Sequence, residues 1–285
     1  MTSKIDNNET SHRGVAVVTG ATGMLGQATA RALAASGADV VLVARDPARG
    51  ARLLAELQRT TSAERHRLVL GDLGSLEDVR RMASEIDQAP GGVRALVHTA
   101  AALKPTREET AEGHESMFAI NVLARLLLTH ELRGALKRAS PSRVVLVTGP
   151  SPDRLNFEDL MARRRYQPFM QFRATNAANL MLAFFLAQDL RESGISTYAY
   201  HPGILQSDLM KGMPALVRYL TFPFGRTAEP AAKALSDLAW SGAGDASSGA
   251  FFKLSEPIKP PKASLDGTQQ STLWREAHRL VGLSA

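Results

Sequence analysis

The sequence contains no cysteine, and this absence excludes disulfide bridges, catalysis by a thiolate and zinc sites built from thiolates. We predict no metal site from the remaining residues. No uninterrupted apolar run approaches the length that crosses a bilayer, so we expect a soluble protein without a membrane span. A cytoplasmic location is the simplest prediction for such a chain.

Acidic residues are fewer than basic ones, 28 against 34, and the resulting formal charge of +6 favours anionic ligands in a general way. The basic residues cluster at one place, Arg163 to Arg165, and no nucleic-acid-binding motif accompanies them. We interpret this cluster as a solvated loop and predict no nucleic-acid partner.

No shift in composition divides the chain after residue 14. With 285 residues, of which 44% are hydrophobic, the chain can bury one large α/β core. We therefore predict a single domain over residues 14–285. Residues 1–13 are polar and contain no apolar segment of the signal-peptide type, so they are predicted to form a disordered leader.

The strongest local pattern is a glycine-rich turn. A run of β-branched residues meets three glycines at three-residue spacing, Gly20, Gly23 and Gly26, and a helical apolar pattern follows over Leu25–Ser36. Such a turn places backbone N–H groups and the positive end of a helix dipole against a pyrophosphate, although it can also be a turn that binds nothing. The residues predicted to contact a cofactor here are Gly20, Thr22, Gly23, Met24 and Leu25.

Strands and helices alternate along the rest of the chain. Further strands are predicted at 40–44, 68–70, 95–98, 144–148, 196–200 and 250–254, and the main helices at 47–60, 76–88, 115–138 and 169–193. Ser75 is a predicted helix N-cap, with Asp78 at the reciprocal capping position. This alternation predicts an α/β fold, a Rossmann-type doubly wound parallel sheet of about seven strands with helices on both faces. Ligands of such sheets bind beyond the carboxyl ends of the strands.

The chain resembles the short-chain dehydrogenase/reductase family, and within it the retinol-dehydrogenase-like branch. The segments that carry the resemblance are Thr19–Gly26, Ala44–Asp46, Gly71–Leu76, Phe118–Asn121, Ala178–Asn179, His201–Gly203 and 273–283. The resemblance implies a nicotinamide cofactor and the strand order 3-2-1-4-5-6-7. It also implies that a homodimer, if one forms, pairs through the helices predicted at 115–138 and 169–193.

Arg45 follows the second strand, at the place where NAD-selective relatives carry an acid that bonds the ribose hydroxyl. A guanidinium there suits a 2′-phosphate, so NADP(H) is predicted rather than NAD(H). Alternatively, Arg45 is a surface residue that pairs with Asp46 or Glu56. The resemblance implies further cofactor contacts at Asp72, Leu73, Ala100, Asn176, Pro202, Gly203 and Ser207. For Asp72, capping of the following helix is the alternative.

Two segments depart from the branch that the chain resembles. The three glycines follow the spacing of extended family members rather than positions one, five and seven, and both spacings leave a glycine near the phosphates. His98–Ala101 stands where the family has two asparagines, an alanine and a glycine that support the central strand and the adenine pocket. We interpret His98 as a histidine that satisfies a neighbouring backbone group, with a catalytic role as the alternative.

The largest departures lie where hydride chemistry is carried out. In the family a tyrosine exchanges a proton with the substrate oxygen, a lysine four residues later lowers the pKa of that tyrosine, a serine polarises the carbonyl, and an asparagine holds a relay water. By resemblance, Phe172 stands at the tyrosine, Asn176 at the lysine and Gly149 at the serine, while Asn121 matches the asparagine. Phenylalanine has no exchangeable proton and cannot act as a general acid. No tyrosine in the chain is followed by lysine four residues later, so the loss does not depend on the alignment.

Three other hydroxyl groups lie near these positions in sequence. Thr148 or Ser151 is a candidate replacement for the missing serine, although both are also ordinary loop residues. Tyr166, six residues before Phe172, is interpreted as a loop anchor. Residues 205–227 correspond to the family's lid over the substrate, and their apolar character suggests a hydrophobic ligand or packing of the lid on the body.

The sequence favours a protein that keeps an NADP(H) pocket, with the cofactor structural or vestigial, and catalyses a non-redox rearrangement. Cyclisation, isomerisation or dehydration of an apolar small metabolite fits this hypothesis, with an apolar wall formed by Phe169, Met170, Phe172 and Met210. One alternative is an NADP-dependent carbonyl or alcohol oxidoreductase with a different proton donor, or with a substrate that needs none. Another is a non-catalytic, NADP-sensing partner protein.

Overall fold

The computed structural model describes residues 14–61, 65–205, 227–241 and 248–284. The predicted leader, Ser207, Met210 and nearly all of the predicted lid over 205–227 lie outside the described residues.

Eight strands form one sheet in the order β3-β2-β1-β4-β5-β6-β7-β8. They are β1 (Val15–Thr19), β2 (Asp39–Ala44), β3 (Arg67–Leu70), β4 (Val93–His98), β5 (Ser142–Val147), β6 (Ile195–His201), β7 (Phe251–Lys253) and β8 (Glu256–Ile258). The first seven strands are parallel and have the predicted order. The prediction of about seven strands omitted β8, a three-residue strand antiparallel to β7, because a short segment with a central proline carries no strand pattern.

Helices cover both faces of the sheet. They are α1 (Met24–Ala35), α2 (Pro47–Thr61), α3 (Leu76–Asp87), α4 (Ser116–Phe118), α5 (Ala124–Glu131), α6 (Arg133–Arg138), α7 (Pro168–Asp189), α8 (Glu229–Ser236) and α9 (Gly267–Leu280). One core cluster joins α1, α2 and α8 to the sheet, and the other joins α3, α5, α7 and α9 to the opposite face. The strands β1, β2 and β4 are mostly apolar because they are buried on both sides, and their polar residues, Thr19, Asp39, Arg94 and His98, lie at or next to a strand end.

The prediction of one continuous helix over 115–138 was wrong. A π-helical turn, Ala119–Leu123, separates α4 from α5, and the chain leaves helical geometry again at Leu132. The apolar pattern continues through both interruptions, so periodicity alone does not reveal them.

The helix α9 packs against α7. The Trp274 ring stacks on the Phe185 ring with the centroids 4.3 Å apart, and Leu273 and Ala277 of α9 are buried. This contact covers part of the α7 surface through which a homodimer was expected to form, and the homodimer stays a prediction.

The described ranges contain neither a membrane-spanning helix nor a cluster of metal-binding side chains. No helix in these ranges combines the length and apolar character needed to cross a membrane. No group of three or more histidine or acidic side chains in the same ranges is arranged to hold a metal ion.

Candidate active site

The glycine turn joins β1 to α1 at the carboxyl edge of the sheet. Gly20 has φ of +64°, and a Cβ atom added to it would lie 2.7 Å from the Cα atom of Ala100. A Cβ atom added to Gly26 would collide with the carbonyl oxygen of Gly20. The first glycine therefore permits the turn, and the third permits α1 to lie close to it.

Side chains hold this turn through one carbonyl oxygen. The Thr22 oxygen accepts hydrogen bonds from Gln27 Nε2 at 2.7 Å and from Arg49 Nη2 at 2.6 Å. The N-cap of α1 is Gly23, which has no side chain to cap the first backbone N–H groups of the helix. These N–H groups and the helix dipole are the features that bind a pyrophosphate, so the cradle fits the predicted dinucleotide.

Arg45 follows β2 and is exposed. The alternative ion pairs considered for it are not formed, because Glu56 bonds to Arg31 at 2.7 and 3.0 Å and Asp46 accepts the backbone N–H of Arg49 at 3.0 Å. Within the described part of the chain, Arg45 has no carboxylate within 4 Å. Its guanidinium is left available for an anion. Arg49, which reaches the glycine turn, was missed by the sequence analysis.

The turn after β3 is held by Asp72. Its Oδ1 atom accepts the backbone N–H of Gly74 at 2.8 Å, and its own N–H donates to Asp78 Oδ2 at 2.8 Å. Ser75 caps α3 as predicted, by accepting from the Asp78 N–H at 3.2 Å. The reciprocal bond was predicted wrongly, because the Asp78 carboxylate bonds to Asp72 instead of Ser75. Leu73 is partly buried against the core.

The loop after β4 is tied to both neighbouring strands. Thr99 Oγ1 donates to the carbonyl oxygen of Thr19 at 2.6 Å, and this bond joins the ends of β4 and β1. Arg125 of α5 donates to the carbonyl oxygens of Ala100 and Val147, both at 2.6 Å. These bonds give the loop the support that asparagines were expected to provide, and no sequence pattern had pointed to Arg125.

His98 is fully buried at the end of β4. Its Nε2 atom lies 3.0 Å from Thr129 Oγ1, so its partner is a side-chain hydroxyl and not the backbone group that was predicted. Burial, followed by the nearby positive charge of Arg125, holds the pKa of His98 well below its usual value. His98 is therefore a neutral core residue near pH 7.

Asn121 lies in the π-helical turn. Its side chain forms a closed pair of bonds with Ala102, accepting from the N–H at 2.7 Å and donating to the carbonyl oxygen at 3.0 Å. It also donates to Thr175 Oγ1 at 3.2 Å, and that hydroxyl donates to the Phe172 carbonyl oxygen at 2.8 Å. The amide thus joins α7 to the loop after β4.

The structure brings together Thr148, Gly149 and Asn176, three of the positions predicted from the resemblance. Thr148 Oγ1 lies 3.2 Å from Asn176 Oδ1, and the Gly149 N–H donates to the same oxygen at 3.3 Å. A Cβ atom added to Gly149 would lie 3.4 Å from Asn176 Nδ2. This corner contains hydroxyl and amide groups but no charge.

Phe172 is half-buried in a small apolar cluster with Leu103, Met117 and Tyr166. The Tyr166 hydroxyl donates to the carbonyl oxygen of Lys104 at 2.8 Å, so the phenol anchors its loop to the loop after β4. Burial, with a smaller effect from nearby carboxylates, raises the pKa of Tyr166 to about 12. A phenol with such a pKa is poorly suited to exchange a proton near pH 7.

Ser151 is fully buried. Its hydroxyl lies 3.2 Å from Asp153 Oδ2 and accepts the Asp153 N–H at 3.4 Å, while Arg173 donates to the same carboxylate at 2.6 Å. The hydroxyl is therefore engaged inside its own loop.

The loop after β6 begins with Pro202 and Gly203, and Gly203 has φ of +81°. Both residues lie at the carboxyl edge with the other predicted cofactor positions, whereas Ser207 lies outside the described residues. Of the predicted apolar wall, Phe169 and Met170 are 40% and 50% exposed at the start of α7.

A model of the family described as short chain dehydrogenase matches residues 14–215, which is more than half of the chain. The chain belongs to the short chain dehydrogenase family. It is 30% identical over 274 residues to Retinol dehydrogenase 12 of Bos taurus, an alignment that covers 94% of this chain and 86% of that protein. It is 33% identical over 199 residues to Retinol dehydrogenase 11 of Homo sapiens. That alignment covers 69% of this chain and 63% of the human protein, which is less than two thirds of its length.

Solved structures share the fold of this short chain dehydrogenase. An uncharacterized protein from Mycobacterium Paratuberculosis superposes with a TM-score of 0.75 at 25% identity, over 95% of this chain and 94% of that one. A short chain dehydrogenase from Burkholderia cenocepacia J2315, in complex with NADP, superposes with a TM-score of 0.67 at 21% identity, over 86% and 97% of the two chains.

Proposed function

We propose that this short chain dehydrogenase binds NADP(H) across the carboxyl ends of β1, β2 and β4. The observation that carries the proposal is the cradle around Gly20, with the uncapped first turn of α1 for the pyrophosphate and, for the 2′-phosphate, Arg45, which pairs with no carboxylate of the described residues. The Burkholderia protein of the same fold, whose structure contains NADP, supports this choice of dinucleotide.

We further propose that the protein is an oxidoreductase for acceptors that need no enzymatic proton donor. Bound NADPH supplies a hydride. Phe172 has no proton to donate. Asn176, which is bonded to Thr148 and Gly149, has no charge that could lower the pKa of a proton donor. A suitable acceptor is therefore already activated, such as a cationic imine or an electron-poor conjugated alkene. Such an acceptor would take the hydride that NADPH supplies when bound, and water would provide any proton that the product requires.

The protein's own residues contribute binding and orientation in this proposal. Thr148 and Asn176 hold polar groups of the cofactor or acceptor at the end of β5, while Phe172 and the exposed Phe169 and Met170 contact an apolar substrate. The class of substrate is thus an apolar small molecule with one activated centre.

The non-redox hypothesis ranks second. The uncharged corner at Thr148 and Asn176 is compatible with a cyclase, isomerase or dehydratase, but the relatives named retinol dehydrogenases favour hydride transfer. Conversion of a substrate at an unchanged rate without any nicotinamide cofactor would support it. A non-catalytic partner protein ranks third, because no described feature identifies a partner.

The double variant Phe172→Tyr with Asn176→Lys tests the placement of the degenerate site. It restores a phenol and an adjacent cation, so we expect ketone reduction with NADPH to rise at least about 100-fold above that of the unaltered protein. The single variant Phe172→Tyr is the matched control and should gain little, because a phenol without a cation keeps a pKa of about 10. Activity is read as loss of nicotinamide absorbance with a broad panel of ketones and aldehydes. A double variant that binds NADPH and reduces none of them contradicts this placement.

A further inference from the structure

Arg125 is a cation that the proposed chemistry has not used. Its side chain lies on the first turn of α5 and the residue is 3% exposed. Its two terminal nitrogens each donate to one carbonyl oxygen, those of Ala100 and Val147. Nε has no hydrogen-bond partner, and no carboxylate of the described ranges lies within 4 Å of the guanidinium. The positive charge is buried without a counter-ion.

This charge is fixed near pH 7. Burial lowers the pKa of Arg125 to about 9, which still leaves the guanidinium protonated. The neighbouring His98 is neutral there, so it does not add to the charge. Two short bonds to the backbone hold the guanidinium in one place. A buried charge of this kind acts through its field over several ångströms, because little water lies between to screen it.

The guanidinium bonds to the backbone one residue before Thr148, and Thr148 with Asn176 forms the corner that, on the proposed function, holds polar groups of the cofactor or acceptor. Val147, whose carbonyl it bonds, immediately precedes Thr148, and the Thr148 hydroxyl contacts Asn176. Asn121, Gly149 and Asn176 are all uncharged. Lys253 and His201 approach from β7 and β6, but Lys253 is exposed and burial lowers the pKa of His201.

We propose that Arg125 makes the site favour the reduced, uncharged nicotinamide ring over the oxidised, positively charged ring. This inference rests on the proposed NADP(H) site and names Arg125 as a positioning and specificity residue that touches neither substrate nor cofactor. As a general scale, two like unit charges about 10 Å apart in a medium of effective dielectric constant about 20 repel by enough to change an affinity roughly tenfold. The protein is thereby biased towards carrying NADPH.

The test is the ratio of two dissociation constants, for NADP⁺ and for NADPH, measured by titration calorimetry. We expect the unaltered protein to bind NADPH about tenfold more tightly, and Arg125→Met to reduce this ratio at least about fivefold. A purely structural role would weaken both forms by the same factor and leave the ratio unchanged.

Thr129→Val is the matched control, because it removes the hydrogen bond of His98 without changing any charge, and its ratio should equal that of the unaltered protein. An unchanged ratio in Arg125→Met overturns the inference while the NADP(H) site stands. Should Arg125→Met fail to fold, equal affinity of the unaltered protein for the two forms overturns the inference by itself. If neither form binds the unaltered protein, the proposed function fails instead.

Discussion

The candidate site has two halves, the proposed nucleotide half around Gly20 and the proposed catalytic half around Asn176, and they are built from different chemical groups. Around Gly20 the chain offers backbone N–H groups and a helix end, positioned by close packing of glycines. Around Asn176 the available groups are side chains, and these are engaged within the protein: Thr148 with Asn176, Ser151 with Asp153, and Asn121 with the backbone of Ala102. A backbone cradle persists as long as the fold does, whereas a set of catalytic side chains is lost by a few substitutions that leave the fold intact.

We expect the substitution Gly26→Ala to disrupt the glycine turn of the nucleotide half. The new Cβ atom would collide with the Gly20 carbonyl oxygen and lie 2.9 Å from Thr99 Oγ1, so α1 must move. We expect a loss of about 2 kcal/mol in the free energy of unfolding and at least a tenfold weaker binding of NADPH. Urea unfolding and calorimetry measure the two effects. Gly267→Ala places its Cβ atom in open space and is the control, and equal losses in both variants would contradict the packing argument.

The pH dependence of stability tests the histidines whose pKa is lowered by burial. Burial is the main cause that lowers the pKa values of five histidines: His66, His98, His114, His201 and His278. The unfolded chain binds protons below pH 6.5 that the folded protein does not yet bind, so stability present above pH 6.5 is lost as the pH falls towards the lower folded values. We expect the free energy of unfolding to drop by more than about 1 kcal/mol between pH 7 and pH 5.5.

Urea unfolding curves at several pH values measure this slope. His98→Asn removes one titrating group and should make the slope shallower, whereas replacement of the surface residue Arg275 by Ala should leave it unchanged. A slope in His98→Asn equal to that of the unaltered protein would show that His98 is charged or accessible in the folded state.

The variant Arg45→Ala separates the side-chain contribution to nucleotide binding from the backbone contribution, because it removes a side chain and leaves the backbone cradle unchanged. We expect NADPH to bind about tenfold more weakly, with little change for NADH, since a guanidinium paired with a phosphate contributes about 1.5–3 kcal/mol at most. Competition binding with both coenzymes measures the difference. Arg52→Ala is an exposed control on α2. If NADH and NADPH lose affinity equally, Arg45 does not contact the 2′-phosphate.

Features set by local pattern were predictable from the sequence. The glycine turn, the first seven strands and the Ser75 cap each follow from residues close together in the chain. Features made by distant partners were not: Arg49 reaches Thr22 from another helix, and Arg125 bonds to the ends of two strands. The buried bonds of Ser151 and Asn121 likewise depend on packing that a linear pattern does not contain. The sequence therefore predicted which residues follow the strands at the carboxyl edge of the sheet, while the partners of their side chains required the structure.

The last strand has a consequence for the protein in concentrated solution. β8 has three residues, with Glu256 at its start and Pro257 in the middle, opposite Phe252 of β7. Proline lacks the N–H that a further strand would need, and a glutamate beside it adds a charge. The β8 edge is therefore a poor site for a strand of a partly unfolded second copy to pair with. This protects that edge of the sheet against aggregation.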